Sequence, residues 1–147
     1  MNEDLLRRYM SQDRLAVTLG MEIVDIRPGR AEVRMRLDER HLNGAGIAHG
    51  GAIFSLADVA FAAASNAHGT LAVALDVTIS FVKAVTSGVL TARAEELSLG
   101  SRTGVYAVRV TNELGEVVAL FQGTVYRKKT PIAALIAGEA SRGEEGS

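Results

Sequence analysis

The 147-residue chain contains no cysteine, which excludes disulfides, zinc–thiolate sites and cysteine nucleophiles. It also lacks a dominant charge: 16 Lys and Arg against 17 Asp and Glu leave a net charge of −1. The basic residues are scattered rather than striped along one face, so nucleic acid is not the expected partner. No apolar run is long and bulky enough to span a bilayer, residues 52–64 being too short and too rich in Ala. The opening MNEDLLRRYM has no apolar core of signal-peptide type, which makes a cytoplasmic protein the expectation. Two catalytic signatures are missing as well. No GxSxG elbow occurs, and His41, His49 and His68 show no ligand spacing such as HExxH, so no metal site is expected. GAGIAHG (residues 44–50) is a near miss for a dinucleotide loop. Its sixth position is His49, and no parallel βαβ context precedes it.

What is present suits one globular domain. Apolar residues make up 48% of the chain and charged residues 22%, and the length suffices to bury a core. Residues 3–19 read as a short amphipathic helix with Leu5, Leu6, Tyr9 and Leu15 as its apolar contacts. A hairpin follows around Pro28-Gly29, with Val33, Met35 and Leu37 alternating with Glu32, Arg34 and Arg36. Residues 38–50 are loop, and a long helix is predicted over 51–67, with Gly69 placed to end it. The period then changes to two: Leu71, Val73, Leu75, Val77, Ile79 and Phe81 fall on one face, with Ala72, Ala74, Asp76, Thr78 and Ser80 on the other. Further strands are predicted at 88–99, 103–112 and 116–128, with NELGE as the tightest hairpin signal. The closing GEASRGEEGS has the composition of a disordered end. Strands with one apolar face need a cover, and the long helix is the only large candidate. The pattern predicts an α+β fold, an antiparallel sheet curled around one central helix.

That helix carries a single charge, Asp58. At about 100° per residue, Gly51, Ser55, Ser65 and Asn66 lie within roughly 80° of Asp58, and every other position is apolar. Asp58 reads either as a structural carboxylate, hydrogen-bonded to a loop or facing a wet groove, or as a reactive one. The second reading draws on HGG (residues 49–51), which starts the helix. The amides of Gly50 and Gly51 are free donors at the positive end of the helix dipole, and two glycines let a carbonyl approach closely. An amide-lined anion site with a carboxylate two turns on is a hydrolytic layout. Asn43 reads as a turn residue before Gly44 or as a group orienting the reacting carbonyl. His49 reads as a helix-entry residue or a donor to substrate.

HLNGAGIAHGGAIFSLADVAFAAASNAHG (residues 41–69) resembles the active-site segment of the hotdog-fold thioesterases, specifically the PaaI-like branch named for phenylacetic acid degradation. Asn43, Gly46, His49, Gly50, Gly51 and Asp58 match its pattern, and the likeness extends over roughly residues 15–128. The resemblance implies a hotdog domain over 1–130, with 131–147 a short helix or flexible tail. It implies hydrolysis of acyl-CoA to free acid and CoA with no metal or organic cofactor, in a dimer that commonly pairs into a homotetramer. Asp58 of one protomer would be nucleophile or general base. Gly50 or Gly51 of the other, with Asn43 and His49, would polarise the thioester carbonyl. Some relatives carry a Ser or Thr on the following strand; Ala74 stands there in this chain, and either nearby Thr78 takes part of that role or the enzyme does without it. Phe54 and Phe61 are expected to line an acyl pocket suited to aromatic groups such as phenylacetyl or hydroxyphenylacetyl. Arg102, Thr103, Arg127 and Lys128 are expected near the CoA phosphates. A hydratase or dehydratase of the same fold and a non-catalytic acyl-CoA-binding module are the competing expectations.

Overall fold

The computed structural model describes residues 2–136. Two short helices, α1 (Glu3–Met10) and α2 (Arg14–Thr18), precede a hairpin of β1 (Met21–Arg27) and β2 (Arg30–Arg36). After a loop come the long helix α3 (Gly50–Asn66) and four strands: β3 (Thr70–Phe81), β4 (Val89–Leu99), β5 (Thr103–Thr111) and β6 (Val117–Pro131). The strands form one antiparallel sheet in the order β1-β2-β4-β5-β6-β3. The helix α3 packs against all six of them.

The sheet curls because its inner face is apolar and one helix must fill it. Val33 and Met35 of β2, Leu90 and Ala92 of β4, and Tyr106, Val108 and Val110 of β5 are buried. From α3, Leu56, Ala57, Ala60, Ala63 and Ala64 meet them with essentially no exposure. Small side chains on the helix bring its axis close to the sheet. At Gly123 of β6 the approach is closest: a Cβ there would stand 2.7 Å from the Phe61 ring. Asn66 fastens the end of α3 to β3, its Oδ1 accepting from the Ala72 amide at 2.8 Å and its Nδ2 donating to the Ala62 carbonyl at 2.9 Å. Gly69, at φ 102°, turns the chain out of the helix.

The structure departs from sequence expectation at three places. The helix expected over 3–19 is broken at 11–13, where the Asp13 side chain accepts from the Ala16 amide at 3.0 Å and caps α2. That restart turns Leu15 outward, 54% exposed, while Leu6 and Met10 are buried. On β3 the pairing register shifts between Ala74 and Asp76. The extra residue reverses the alternation. Ala72 is buried under the helix opposite Arg127, and Ala74, itself exposed, shares that side opposite buried Val125, whereas further along Val77 and Ile79 take it opposite Gly123 and Phe121. Val73, Leu75 and Phe81 are consequently exposed on this edge strand. Finally, β6 runs on to Pro131 and ends in a 3-10 turn, Ile132–Leu135, that packs against α1 with Ile132 buried. The expected short helix or tail over 131–147 thus begins as this turn, and the GEASRGEEGS expectation lies outside the described residues.

Candidate active site

The loop before α3 is built by Asn43. Its Oδ1 accepts from the amides of Ala45 (2.9 Å) and Ile47 (3.3 Å), which holds the turn through Gly46 at φ 75°. The turn reading of Asn43 therefore describes its oxygen, while its amide nitrogen donates to no described residue. His49 is the N-cap of α3, and its Nδ1 accepts from the Gly51 amide at 2.8 Å. A ring nitrogen that accepts is unprotonated, so Nε2 carries the proton and is an exposed donor. This corrects one expectation: the Gly51 amide is occupied. The Gly50 amide, at the first helical position, has no intrahelical partner, and no described residue accepts from it.

Asp58 lies two turns further on. It is half-buried on the flank of α3, not in the core as the apolar run suggested. The other polar side chains of its strip are satisfied by backbone: Ser55 donates to the Gly51 carbonyl (2.7 Å), Ser65 to that of Phe61 (2.8 Å), and Asn66 as above. Among the described residues Asp58 has neither hydrogen bond nor ion pair. Its pKa is raised above the ordinary 3.8, first by burial, which disfavours the charged form, and second by the nearby charge of Asp13. The carboxylate is thus partly shielded from water and, among the described residues, unpaired.

The remaining expected residues divide. Arg102, Arg127 and Lys128 come together around one groove of about 720 Å³, shared with Thr70, Tyr126 and Lys129. Arg127 shapes it, donating from its backbone amide to the Arg102 carbonyl and from Nη1 to the Gly100 carbonyl, both at 2.7 Å. Thr103 stands beside Arg102 as the first residue of β5 but does not line the groove. Phe54, half-buried one turn before Asp58, keeps its ring 5.7 Å from that of Phe121. Phe61 is core: 2% exposed and packed on Tyr106 and Phe121 at 5.8 and 5.3 Å. Thr78 stands on the outer face of the sheet, opposite Gln122, in a depression with Arg93 and Arg109. The β3 bulge puts it on the other side from Ala74 and from α3. Sequence reasoning missed Tyr9, Gln12 and Asp13, which border the Asp58 face of α3. Asp13 carried a legible signal, an N-cap residue before an apolar turn, but nothing local linked it to Asp58.

Residues 45–119, half of the chain, match the thioesterase superfamily. The chain belongs to that superfamily. It is 45% identical to a candidate esterase of Archaeoglobus fulgidus over 83% of this chain and 80% of that one. It is 42% identical to the acyl-coenzyme A thioesterase PaaI of Escherichia coli over 87% and 89%. The E. coli PaaI structure superposes with a TM-score of 0.80 at 36% identity, covering 86% of this chain and 98% of that one. A Streptococcus pneumoniae thioesterase solved with coenzyme A superposes at 0.78 with 28% identity, over 83% and 96%. The fold is accordingly the hotdog of the PaaI-like branch, and the chain is a thioester hydrolase.

Proposed function

We propose that this protein hydrolyses acyl-CoA thioesters at a site shared by two protomers, with Asp58 as general base. The observation that carries this is the unpaired, half-buried Asp58 carboxylate on a helix whose first amide, that of Gly50, is also unpaired. Eight residues at a rise of 1.5 Å separate the two groups by about 12 Å, too far to act on one carbonyl within one chain. A second copy supplies the missing half. The edge strand β3, with Val73, Leu75 and Phe81 exposed, offers the surface for that pairing. We place two such dimers in a homotetramer, acting in the cytoplasm.

In this mechanism Asp58 takes a proton from water, and the hydroxide adds to the thioester carbon. The Gly50 amide of the facing protomer donates to the oxyanion, helped by the Asn43 amide nitrogen and the His49 Nε2–H. Collapse breaks the carbon–sulfur bond and expels CoA thiolate, which receives the proton and leaves a free acid. Neither metal nor organic cofactor is required for these steps. Arg102, Arg127 and Lys128 bind the CoA phosphates as an ordered basic groove. For the acyl group we place aryl substrates such as phenylacetyl-CoA first, because half-buried Phe54, one turn from Asp58, offers an aromatic contact close to the reacting carbonyl; that substrate would put the enzyme in phenylacetate degradation.

Free-thiol release from a panel of aromatic and straight-chain acyl-CoAs tests the function. Rapid release is expected, whereas a hydratase would turn over enoyl thioesters without freeing thiol and a binding module would bind without turnover. Because the pKa of Asp58 is raised and the base must be ionised, kcat/KM is expected to rise with pH through an apparent pKa above 3.8. A profile flat from pH 4 upward would remove Asp58 from the base role. Arg102→Ala is expected to raise KM for acyl-CoA about fivefold, on the order of 1 kcal/mol for an exposed charge pair. The effect should shrink in high salt and vanish with N-acetylcysteamine thioesters, which lack phosphates. An equal effect on both substrate types would exclude phosphate binding.

A further inference from the structure

Two adjoining clefts run between α3 and the N-terminal helices. One, of about 380 Å³, is lined by Met10, Ala16, Val17, Met21, Ile23 and Val59, with Arg7, Ser11 and Glu22 also on its wall. The other, of about 300 Å³, is lined by Tyr9, Met10, Gln12, Asp13 and Ala62, so Met10 belongs to both. Val59 and Ala62 follow Asp58 by one and four residues, which puts them within about 100° of it around the helix and within one turn along it. Both clefts therefore lie against the stretch of α3 that follows Asp58, which itself lines neither. Phe61, the residue the sequence offered as pocket lining, is meanwhile sealed in the core.

The helices that roof the clefts are fixed in place. Leu6 and Met10 of α1 are buried, Arg7 Nη1 donates to the Ile23 carbonyl at 2.8 Å, and Gln12 Nε2 donates to the Leu135 carbonyl at 2.9 Å. The break between α1 and α2 brings Asp13 to the Asp58 side. One Asp13 oxygen caps α2, and among the described residues the other makes no hydrogen bond. Its charge is close enough to Asp58 and to Tyr9 to raise the pKa of both.

We propose that this double cleft receives the distal end of the acyl group, and that Asp13 at its entrance makes the enzyme select uncharged acyl groups and refuse those ending in a carboxylate. The occupant follows from position: largely apolar space about one helical turn from the proposed base has room for the substituent of the attacked carbonyl. The lining suits a range of aryl and alkyl shapes, since Met10 and Met21 are flexible and polarisable. A second carboxylate arriving there would face Asp13, Asp58 and Glu22 in a partly dehydrated setting, where like charges repel strongly, while Arg7 on the cleft wall is already committed to the Ile23 and Val24 carbonyls and to Glu3. This inference rests on the thioesterase reading for the identity of its ligand, but not for its location.

The chain has four methionines, Met1, Met10, Met21 and Met35, so a ¹³C-methyl-methionine spectrum of the full-length protein reads the cleft directly. The probe is S-phenylacetonyl-CoA, a thioether that cannot be hydrolysed, against CoA alone, with Met10→Leu and Met21→Leu to assign the signals. The Met10 and Met21 methyls are expected to shift with the thioether and not with CoA, while Met35, buried on β2, stays in place. Unmoved Met10 and Met21 signals in a complex whose formation calorimetry registers would overturn the assignment. Selection is read from Asp13→Asn, which keeps the helix cap and removes the charge. The ratio of kcat/KM for glutaryl-CoA over phenylacetyl-CoA is expected to rise on the order of 10²-fold; any change in Asp58 basicity is common to both substrates and cancels. An unchanged ratio would remove Asp13 from selection. If the wild type releases thiol from no acyl-CoA, the thioesterase reading falls, while the methionine shifts still show where the acyl group sits.

Discussion

Asp58→Asn is expected to lower kcat by about 10³-fold, the scale of a lost general base, and at the same time to make the protein more stable at neutral pH. The two effects share one cause. Burial and Asp13 raise the pKa of Asp58 in the folded state, so the folded protein holds a proton that the unfolded chain has already released. Between the ordinary value of 3.8 and the raised one, the folded state binds more protons and stability falls as pH rises. Above the raised pKa the full penalty of an ionised, unpaired carboxylate is present. Asparagine keeps the shape without the charge, so the melting temperature of the variant should exceed that of wild type at pH 7. The difference should shrink as pH is lowered through the raised pKa and vanish below 3.8, where Asp58 becomes neutral in both states. Activity loss with a lower melting temperature would mean that Asp58 is structural. Retained activity would remove it from the chemistry. Lost activity together with the higher melting temperature would mark a side chain that weakens the fold, has no partner among the described residues and is kept for work on a substrate.

The sequence legible at a distance was that of the regular elements. A helix apolar nearly all round can be stable only inside, and strands with one apolar face needed that helix; the order of elements then left few alternatives. Asp58, Gly50 and His49 stood out because each was chemically out of place in its surroundings. What stayed hidden depended on pairing between distant segments. Leu75 is the extra residue of the β3 bulge, and a period-two pattern with alanines on one face accepts either phase, so nothing local announced the reversal that put Thr78 on the outer side. Phe61 looked like pocket lining until Gly123, 62 residues later, was found to leave the space its ring fills. The two glycine amides looked equivalent, but the N-cap geometry of His49 takes one of them. Asp13 and Asp58 are 45 residues apart, and only the packing of α2 on α3 relates them.

Gly50→Pro is the sharper test of the oxyanion site, because the local backbone permits it. Proline removes the amide hydrogen and nothing else that the helix needs: at the first helical position that hydrogen has no intrahelical acceptor, and proline is favoured there. Proline also restricts the residue before it to extended backbone, and His49 already lies at φ −63°, ψ 133°. The one local contact is with Phe81, whose ring carbon would stand 3.3 Å from the new Cβ. That side chain is 53% exposed in the single protomer and belongs to the edge proposed for pairing, so the contact needs its own control. Gly50→Ala makes the same contact and retains the amide, so it isolates the hydrogen bond from the bulk. Loss of one oxyanion donor is worth roughly 10²- to 10³-fold in kcat. The proline variant is expected to show that loss, with KM little changed because the ground-state carbonyl accepts a weaker bond than the oxyanion does. The alanine variant should stay within a few-fold of wild type. Equal losses in the two would place the defect in packing against Phe81, and activity undiminished in the proline variant would assign oxyanion stabilisation to Asn43 and His49 without the helix terminus.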